Sequence, residues 1–544
     1  MNPGVRGTLH RNRDRVSTIV GTLGDYGLAQ WLPSFLPSKS SSERHDVKDL
    51  PTEVRMRMAF SDLGPVFVKL GQMLSTRGDL VGPEVARELA QLRTDVPADD
   101  PQVVIEAVQT ELDMSIGDAF SEFDPVAMAS GSIGQAHLAR SLDGSEVIVK
   151  VLHAGIEDVV EQDTEILEAL AELAEDHNKD AREMQVLELT RAFNAGLRRE
   201  LDFGVERRNM VHFGDRYNDS GKAYFPIAYA ERSGQRILTM ERLTGPTLDE
   251  SERVSAVADI DALVEIMADT YVEMLLEDGT FHGDPHPGNF VAMEDGRLGF
   301  LDSGLAGRLA DQTKYDMVDL VVAAKRRDAR RVSILFLRLG SAPAGLDRDA
   351  YEQDIGRWMD EFLDASLDDL DMGRLIEASM DLARKHRITL DTDVSLLAKV
   401  LVELEGTIED VGSGLRFDEL LESNSSRLFE LQFSPRRVMA EIQHHAEDWV
   451  DLIDELPRDA LTLLRQMIAG GFTVGAELRG LDSVTNRLVY GLMIAALFLG
   501  SSFLLAFDVP PTVGGVSVLG LIGWIIGLGL FISVMRAIRK RGGL

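Results

Sequence analysis

The chain has 544 residues, more than one hydrophobic core can usefully fill, so at least two folded units are expected. Its 90 acidic against 56 basic residues give a net charge of -34, which repels phosphate backbones and argues against a nucleic-acid partner. The lack of cysteine removes disulfides, thiolate nucleophiles and cysteine-ligated metals.

The N-terminal stretch MNPGVRGTLHRNRDRV is basic but has no apolar run behind it, which argues against a secretory signal and for a mature chain beginning near Met1. In RVSTIVGTLGDYGLAQWL, residues 15–32, Val16, Ile19, Val20, Leu23 and Tyr26 recur at helical spacing. Docking on a core is the simpler expectation for this helix, and lying on a membrane surface is the other. The serine-rich PSKSSSERHD reads as a linker, so residues 1–50 form an amphipathic helix and linker, and 51–115 read as a helical region. Short β-type runs, HLAR and EVIVKVL, then flank the turn SLDGS and predict a hairpin. Helical periodicity returns over 156–212, and KAYFPIAYAE and QRILTMERL read as two more strands, giving a small sheet with helices over 116–245. Residues 246–423 are mostly helical apart from FHGDPHPGNF and RLGFLDSG, and 424–484 reads as a helical connector.

The segment 485–544 reads as membrane. Leu488 to Phe507 and Val513 to Met535 are uncharged and predominantly apolar. Each has about the 20 residues needed to cross roughly 30 Å of hydrocarbon. Only DVPPT separates them, so they predict an antiparallel hairpin. Arg487 precedes it and Arg536, Arg539, Lys540 and Arg541 follow it, which places both ends on the cytoplasmic side. Gly523 and Gly527 form a small-xxx-small pair at which another helix, such as that of a second copy in a homodimer, can approach closely.

The chemistry concentrates in FHGDPHPGNF, residues 281–290. His282 and His286 have the spacing of a zinc-binding helix, but Pro285 and Pro287 forbid the helix and no glutamate lies between them. Asp284 and Asn289 instead have the separation found in a kinase catalytic loop, where the Asp orients an attacking hydroxyl and the Asn ligates Mg²⁺. A loop held only by Asx turns is the plainer alternative. Asp302, in LDSG, stands at the position of the second Mg²⁺ ligand. Upstream, ASGSIG supplies Ala129, Ser130, Gly131, Ser132 and Gly134 as a phosphate loop, in which a side chain at Gly131 or Gly134 hinders the approach of backbone N–H groups to phosphate. Lys150 ends EVIVK at the strand-lysine position, and Glu206 in ELDFGVERRN is the candidate for its carboxylate partner. By kinase analogy MERL links two lobes, with backbone groups of Glu241 and Leu243 reaching adenine. Glycine loop, lysine, glutamate, Asp–Asn pair and Asp occur in the required order, and that order carries the reading.

These residues resemble the UbiB-type atypical kinases, the ADCK-related group. KLGQ at 69–72, followed by MLSTRGDLVGPEV, is similar to the KxGQ helix of that family. ELDFGVERRN is similar to its ExD segment, FHGDPHPGN to its catalytic loop and KVLVELEG to a helix of its large lobe. The resemblance implies an α+β, two-lobed protein-kinase-like fold with a helical N-terminal KxGQ extension over the active site and a C-terminal transmembrane helical hairpin. It further implies that Glu200 and Asp202 engage Lys69, that Lys69 and Gln72 gate access, and that ATP or ADP binds with Mg²⁺. Membrane lipid, and an isoprenoid quinone precursor or polyprenyl lipid, are the partners it implies, in ubiquinone biosynthesis or isoprenoid handling. The absence of an A-P-E segment after LDSGLAGRLADQTKY agrees with poor peptide docking. Gly131 stands where many members carry an alanine that tunes nucleotide choice, so ATP and ADP both stay open. Ser303 replaces the Phe of Asp-Phe-Gly, and a small polar residue cannot anchor a hydrophobic spine. A small-molecule phosphotransferase of the aminoglycoside or choline kinase kind, and a non-catalytic nucleotide-binding scaffold for lipid handling, are the alternatives.

Overall fold

Alternating burial along Gly134–Arg140 gives a strand with one face inward, and the following turn folds it onto Glu146–Leu152. Ser141 N–H donates to Ser145 O at 2.8 Å, and Gly144 takes the positive φ of +92° that the turn requires. This hairpin is the one expected around SLDGS. In the computed structural model it lies among the described residues 3–28, 50–92, 96–183, 185–343, 345–363 and 372–415, with short pieces at 497–503, 512–513, 516–517 and 521–530. The chain divides into two units, Met1–Glu441 and Ile442–Leu544.

In the first unit, the small-lobe sheet runs Glu122–Phe123, Gly134–Arg140, Glu146–Leu152, Ile237–Glu241, with Ala129–Ser130 also paired to Gly134–Arg140. Its register sets Lys150 between Ala136 and Leu238. The expected strand in KAYFPIAYAE is much shorter. Only Ala223–Tyr224 forms one, and it pairs in parallel with Leu298–Phe300 of the large lobe. Pro226 has no N–H to continue a ladder, and beyond it only a bridge between Ala228 and Met240 returns to the small-lobe sheet.

The helical region before the sheet is segmented into Thr52–Leu63, Pro65–Ser75, Gly78–Val81, Pro83–Leu89 and Pro101–Leu112. Gly64 and Gly82, at φ of +97° and +86°, each break the chain directly before a proline that starts the next helix. Helix Pro65–Ser75 is buried on two sides. Val66, Leu70 and Met73 pack with Leu152, Ile156, Phe203 and Met240, while Phe67 and Val68 pack with the N-terminal helices. Those helices, Pro3–Arg11 and Arg13–Asp25, bury Val16, Ile19 and Val20 against Met56, Ala59, Phe60 and Leu63. Arg15 grips the buried Asp163 through two bonds of 2.7 and 2.6 Å and adds a third to Leu63 O. The amphipathic segment is therefore docked on the domain. The serine-rich linker lies outside the described residues.

The large lobe forms around Phe213, Phe225, Tyr271, Phe281, Phe290 and Phe300, with the rings of Phe225 and Phe300 stacked at 4.4 Å. Helix Ile260–Glu273 runs into a π turn ending at Asp278. Two short antiparallel pairs follow, Thr280–His282 with Ala306–Arg308 and Phe290–Ala292 with Leu298–Phe300. They hold the loops at 283–289 and 301–305 from both sides. Among the described residues, five helices, from Asp311–Lys325 to Thr392–Asp410, and a short strand pair, Gly340–Ser341 with Thr389–Leu390, complete the lobe.

The second unit is described only in pieces, and the connector 424–484 lies outside them. Val513, expected to begin the second apolar run, belongs to a short antiparallel pair, Thr512–Val513 with Val516–Ser517. Helical pieces at 497–503 and 521–530 pack through the rings of Phe498 and Trp524, edge to face at 4.8 Å, and through Trp524 Nε1 donating to Ser502 Oγ at 3.0 Å. A Cβ at Gly523 would strike Ser501, and one at Gly527 would lie 3.4 Å from Phe498. Close approach at this glycine pair thus occurs between the two described helical pieces. Among the described residues no helix is long and apolar enough to cross a membrane, and most of the two apolar runs lies outside them.

Candidate functional site

Lys150 projects from the small-lobe sheet, and its Nζ donates to Glu206 Oε1 at 2.5 Å and to Asp302 Oδ2 at 2.8 Å. Three separate elements meet at this ammonium: a strand, the helix Phe203–Tyr217 and the loop after Leu298–Phe300. Asp202 starts that helix by accepting a bond from Gly204 N at 2.9 Å, which sets Glu206 one turn in, buried and facing the cleft. Burial alone would lower the lysine, but Asp302 and Glu206 outweigh it and hold its ammonium above the ordinary range. Asp302 is held well below the usual carboxylate range, since Lys150 and the Gly304 N–H overcome its burial. Glu206 is pushed up, first by burial, with Asp302 adding to the effect and Lys150 opposing it.

Asp284 and Asn289 are also together. Asn289 Nδ2 donates to Asp284 Oδ2 at 2.8 Å and to Asp284 O at 3.0 Å, and its amide carbonyl oxygen has no hydrogen-bond partner among the described residues. Asn289 O accepts from Leu301 N at 2.9 Å, so the loop bearing Asn289 runs beside the one bearing Asp302. His282 locks the same pair of loops. Its Nε2 donates to Asp302 O at 2.5 Å, and its Nδ1 accepts from Asp284 N at 3.3 Å and from the Tyr271 hydroxyl at 3.2 Å. Burial lowers its pKa, consistent with a neutral ring in which one nitrogen donates and the other accepts. Ser303 is buried, with its carbonyl held by Asn209 Nδ2 at 2.9 Å, so this position packs without an aromatic spine.

Lys69 reaches in from helix Pro65–Ser75 and pairs with Glu200 Oε2 at 2.5 Å. Burial would lower its pKa, but Glu200 raises it, and Asp302 and Asp284 add their fields, so Lys69 lies within electrostatic reach of both loops. Its other expected partner is different. Asp202 serves as the helix cap and lies 3.7 Å from Arg208, because its short side chain is claimed by the local N–H. Gln72 donates to Leu92 O at 3.2 Å, which ties helix Pro65–Ser75 to the segment after Pro83–Leu89.

In the glycine loop, Gly131 N donates to Gly134 O at 2.8 Å and closes the turn between Ala129–Ser130 and Gly134–Arg140. A side chain is not excluded equally at the two glycines. A Cβ at Gly134 would come within 2.7 Å of Val151 O, whereas one at Gly131 would meet only Gly134 O at an ordinary 3.5 Å. Ser130 Oγ is bonded to Val96 O at 2.7 Å, and Ser132 is buried. At the lobe junction, Glu241 N is already given to Ile227 O at 2.8 Å, and its carboxylate accepts from the Tyr224 hydroxyl at 2.9 Å. Leu243 rests its side chain on Gly299, where a Cβ would lie 2.8 Å away.

Sequence reasoning assigned no role to Lys399 or Glu403. They lie one turn apart on helix Thr392–Asp410, with Lys399 Nζ at 3.3 Å from Asp284 Oδ1 and 2.9 Å from Glu403 Oε2. The only signal was a Lys and a Glu four apart in KVLVELEG, which reads as an ordinary intrahelical pair.

Among the described residues no group of three His, Asp or Glu side chains forms a metal cage. Mg²⁺ does not need one, since it keeps several waters and takes one or two carboxylates together with substrate phosphates. Asn289 Oδ1 and Asp302 match that donor set.

Comparison with known proteins decides the family. Residues 91–335 match the ABC1 atypical kinase-like domain, 355–413 the UbiB helical domain and 476–540 the ABC1/UbiB kinase-like C-terminal domain. A "Probable protein kinase UbiB" of Pseudomonas putida is 30% identical over 425 residues, which cover 76% of this chain and 78% of that protein. The chain belongs to the ABC1/UbiB atypical kinase-like family. Among other relatives, an "Uncharacterized protein in hydrogenase 1 5'region" of Clostridium pasteurianum is 25% identical over 539 residues, 96% of this chain and 99% of that one. A solved structure, "The complex structure of Rv3197-erythromycin from Mycobacterium tuberculosis", aligns with TM-score 0.48 and 21% identity over 67% of this chain and 94% of that chain. Membership in the ABC1/UbiB family agrees with the mixed helix and sheet and the two kinase-like lobes described above.

Proposed function

We propose that this protein is a membrane-tethered atypical kinase or ATPase that uses Mg-nucleotide in the biosynthesis or handling of an isoprenoid quinone or related lipid, with its kinase-like domain on the cytoplasmic side of the inner membrane. The observation that carries the reading is the joint hold of Glu206 and Asp302 on Lys150, beside the Asp284–Asn289 pair. Asn289 and Asp302 would hold a Mg²⁺ ion, which would supply neutralisation of phosphate charge. Lys150, fixed by Glu206, orients the phosphates. Asp284 accepts the proton of an attacking hydroxyl or water as its oxygen bonds to the terminal phosphorus and the bridging oxygen leaves with the nucleoside diphosphate. Hydrolysis and transfer share these steps and differ only in the attacking oxygen.

The membrane part of the reading draws on the two apolar runs and on the side chains of the described helical pieces. Leu499, Phe503, Ile525 and Ile526 are exposed outside the Phe498–Trp524 contact, as expected of a hairpin whose surroundings are lipid. With a net charge of -34, attraction to anionic headgroups falls to the basic tail rather than the domain.

The test is Mg-ATP turnover by the full-length protein with and without liposomes carrying a polyprenylphenol-like lipid, beside the Asp284→Asn variant. Turnover stimulated by the lipid and reduced at least about 100-fold in the variant is expected. Equal turnover in both proteins would count against the catalytic reading and favour a nucleotide-binding scaffold.

A further inference from the structure

Lys399 has no assigned role within KVLVELEG, yet its ammonium is placed on Asp284, the carboxylate at the centre of the nucleotide reading. Asp284 divides its two oxygens, with Oδ1 facing Lys399 Nζ at 3.3 Å and Oδ2 taken by Asn289 at 2.8 Å. The helix bearing Lys399 is pinned to the same loop, because Thr407 Oγ1 donates to Pro285 O at 2.7 Å in a buried contact. Lys399 is thus held by the fold, and its side chain is only 19% exposed.

An ammonium has three N–H donors. Lys399 donates to Asp284 Oδ1 and forms an ion pair with Glu403 Oε2 at 2.9 Å, which leaves at least one N–H without a hydrogen-bond partner among the described residues. Burial would lower the lysine, but Glu403 and Asp284 keep it charged. Three lysines, Lys69, Lys150 and Lys399, face five carboxylates, Glu200, Glu206, Asp284, Asp302 and Glu403. A triphosphate brought into this excess of negative charge needs fixed cations along its whole length as well as its own metal. Lys150 is committed beside Asp302, at one end. Asp284 is where the terminal phosphoryl group must be met, and Lys399 is the cation in direct contact with it.

We propose that Lys399 is a phosphate-contacting residue that turns its free N–H to the terminal phosphate of a bound nucleoside triphosphate, a role that rests on the Mg-nucleotide reading above. Glu403 supports this as a partner that gives way, because burial pushes its carboxyl up to about 7 against the opposing pull of Lys399. Near neutrality part of the population is protonated there, and the pair loosens without leaving a bare charge.

The diphosphate lacks the group that Lys399 is proposed to touch, so the comparison of nucleotides is the test. Full-length protein and its Lys399→Met and Lys399→Arg variants are titrated by calorimetry with Mg-ADP and with a Mg-ATP analogue whose terminal bridge is not hydrolysable. Lys399→Met is expected to raise the Kd of the triphosphate analogue about tenfold or more and that of Mg-ADP less than about twofold, with Lys399→Arg near wild type. If Lys399→Met fails to fold, Lys399→Gln, which removes the charge but keeps a polar end, is read the same way. Equal weakening of both nucleotides, or of neither, overturns the proposal and leaves Lys399 as a positioning residue for Asp284. Wild-type protein that binds neither nucleotide overturns the underlying reading and this proposal with it.

Discussion

Single atoms decide how much of the glycine loop is obligatory. Gly134→Ala places a methyl 2.7 Å from the Val151 carbonyl, and backbone cannot swing aside, so a loss of about 1–3 kcal/mol and a lower thermal midpoint are expected. Gly131→Ala meets nothing closer than 3.5 Å and should leave the midpoint unchanged or raise it by up to about 1 kcal/mol of stability. Equal losses in the two variants would contradict the geometry. Glu403 gives a pH signature. Its carboxyl sits at about 7 in the fold against an ordinary 4.5, so the native state keeps a proton that the unfolded chain releases in between. That contribution is complete below about pH 4.5 and is lost as pH rises through 7. The stability of wild type should therefore fall relative to Glu403→Gln between pH 5 and 8, by about 1–2 kcal/mol after allowance for partial exposure, seen as a lower thermal midpoint, and parallel curves would contradict the assignment. At this scale the sequence was legible where chemistry dictates the residue, as at Lys150, Asp284 and Asp302. It misled where a short side chain had a nearer claim, as when Asp202 capped its own helix.

Helix Pro65–Ser75 decides how the extension meets the site. Its apolar face is fixed between two cores, and its half-buried ammonium crosses to Glu200 within the field of the loops that bear Asp284 and Asp302. Lys69→Ala removes that charge while leaving Val66, Phe67 and Val68 packed. We expect Mg-nucleotide turnover to change at least about fivefold while the thermal midpoint moves by no more than about 3 °C. A simple loss of folded protein would show a structural role instead. The hairpin of the small lobe was legible because period-2 burial and a glycine turn are local signals. The strand before Pro226 was overestimated because its apolar run continued past the residue that ends the ladder. Lys399 and Glu403 went unseen because their partner, Asp284, is distant in sequence and joins them only through the packing of Thr392–Asp410 against the loop.

For the molecule as a whole, composition excluded more than it assigned. The missing cysteines removed disulfide and thiolate chemistry, while the N-terminal helices found a core through Val16, Ile19 and Val20, as their periodicity implied. Their anchor was not legible, since Arg15 and the buried Asp163 are brought together only by the fold. The glycine pair at 523 and 527 was legible as a close-approach site, but not which helix approaches. The account as a whole depends on a divalent-metal nucleotide bound between Lys150, Asn289 and Asp302. Calorimetric titration of ATP into the full-length protein, with Mg²⁺ and with a chelator, beside the Asp302→Asn variant, tests this most directly. Binding that needs Mg²⁺ and weakens at least about thirtyfold in the variant is predicted, and equal binding by both proteins, or binding indifferent to the metal, would contradict it.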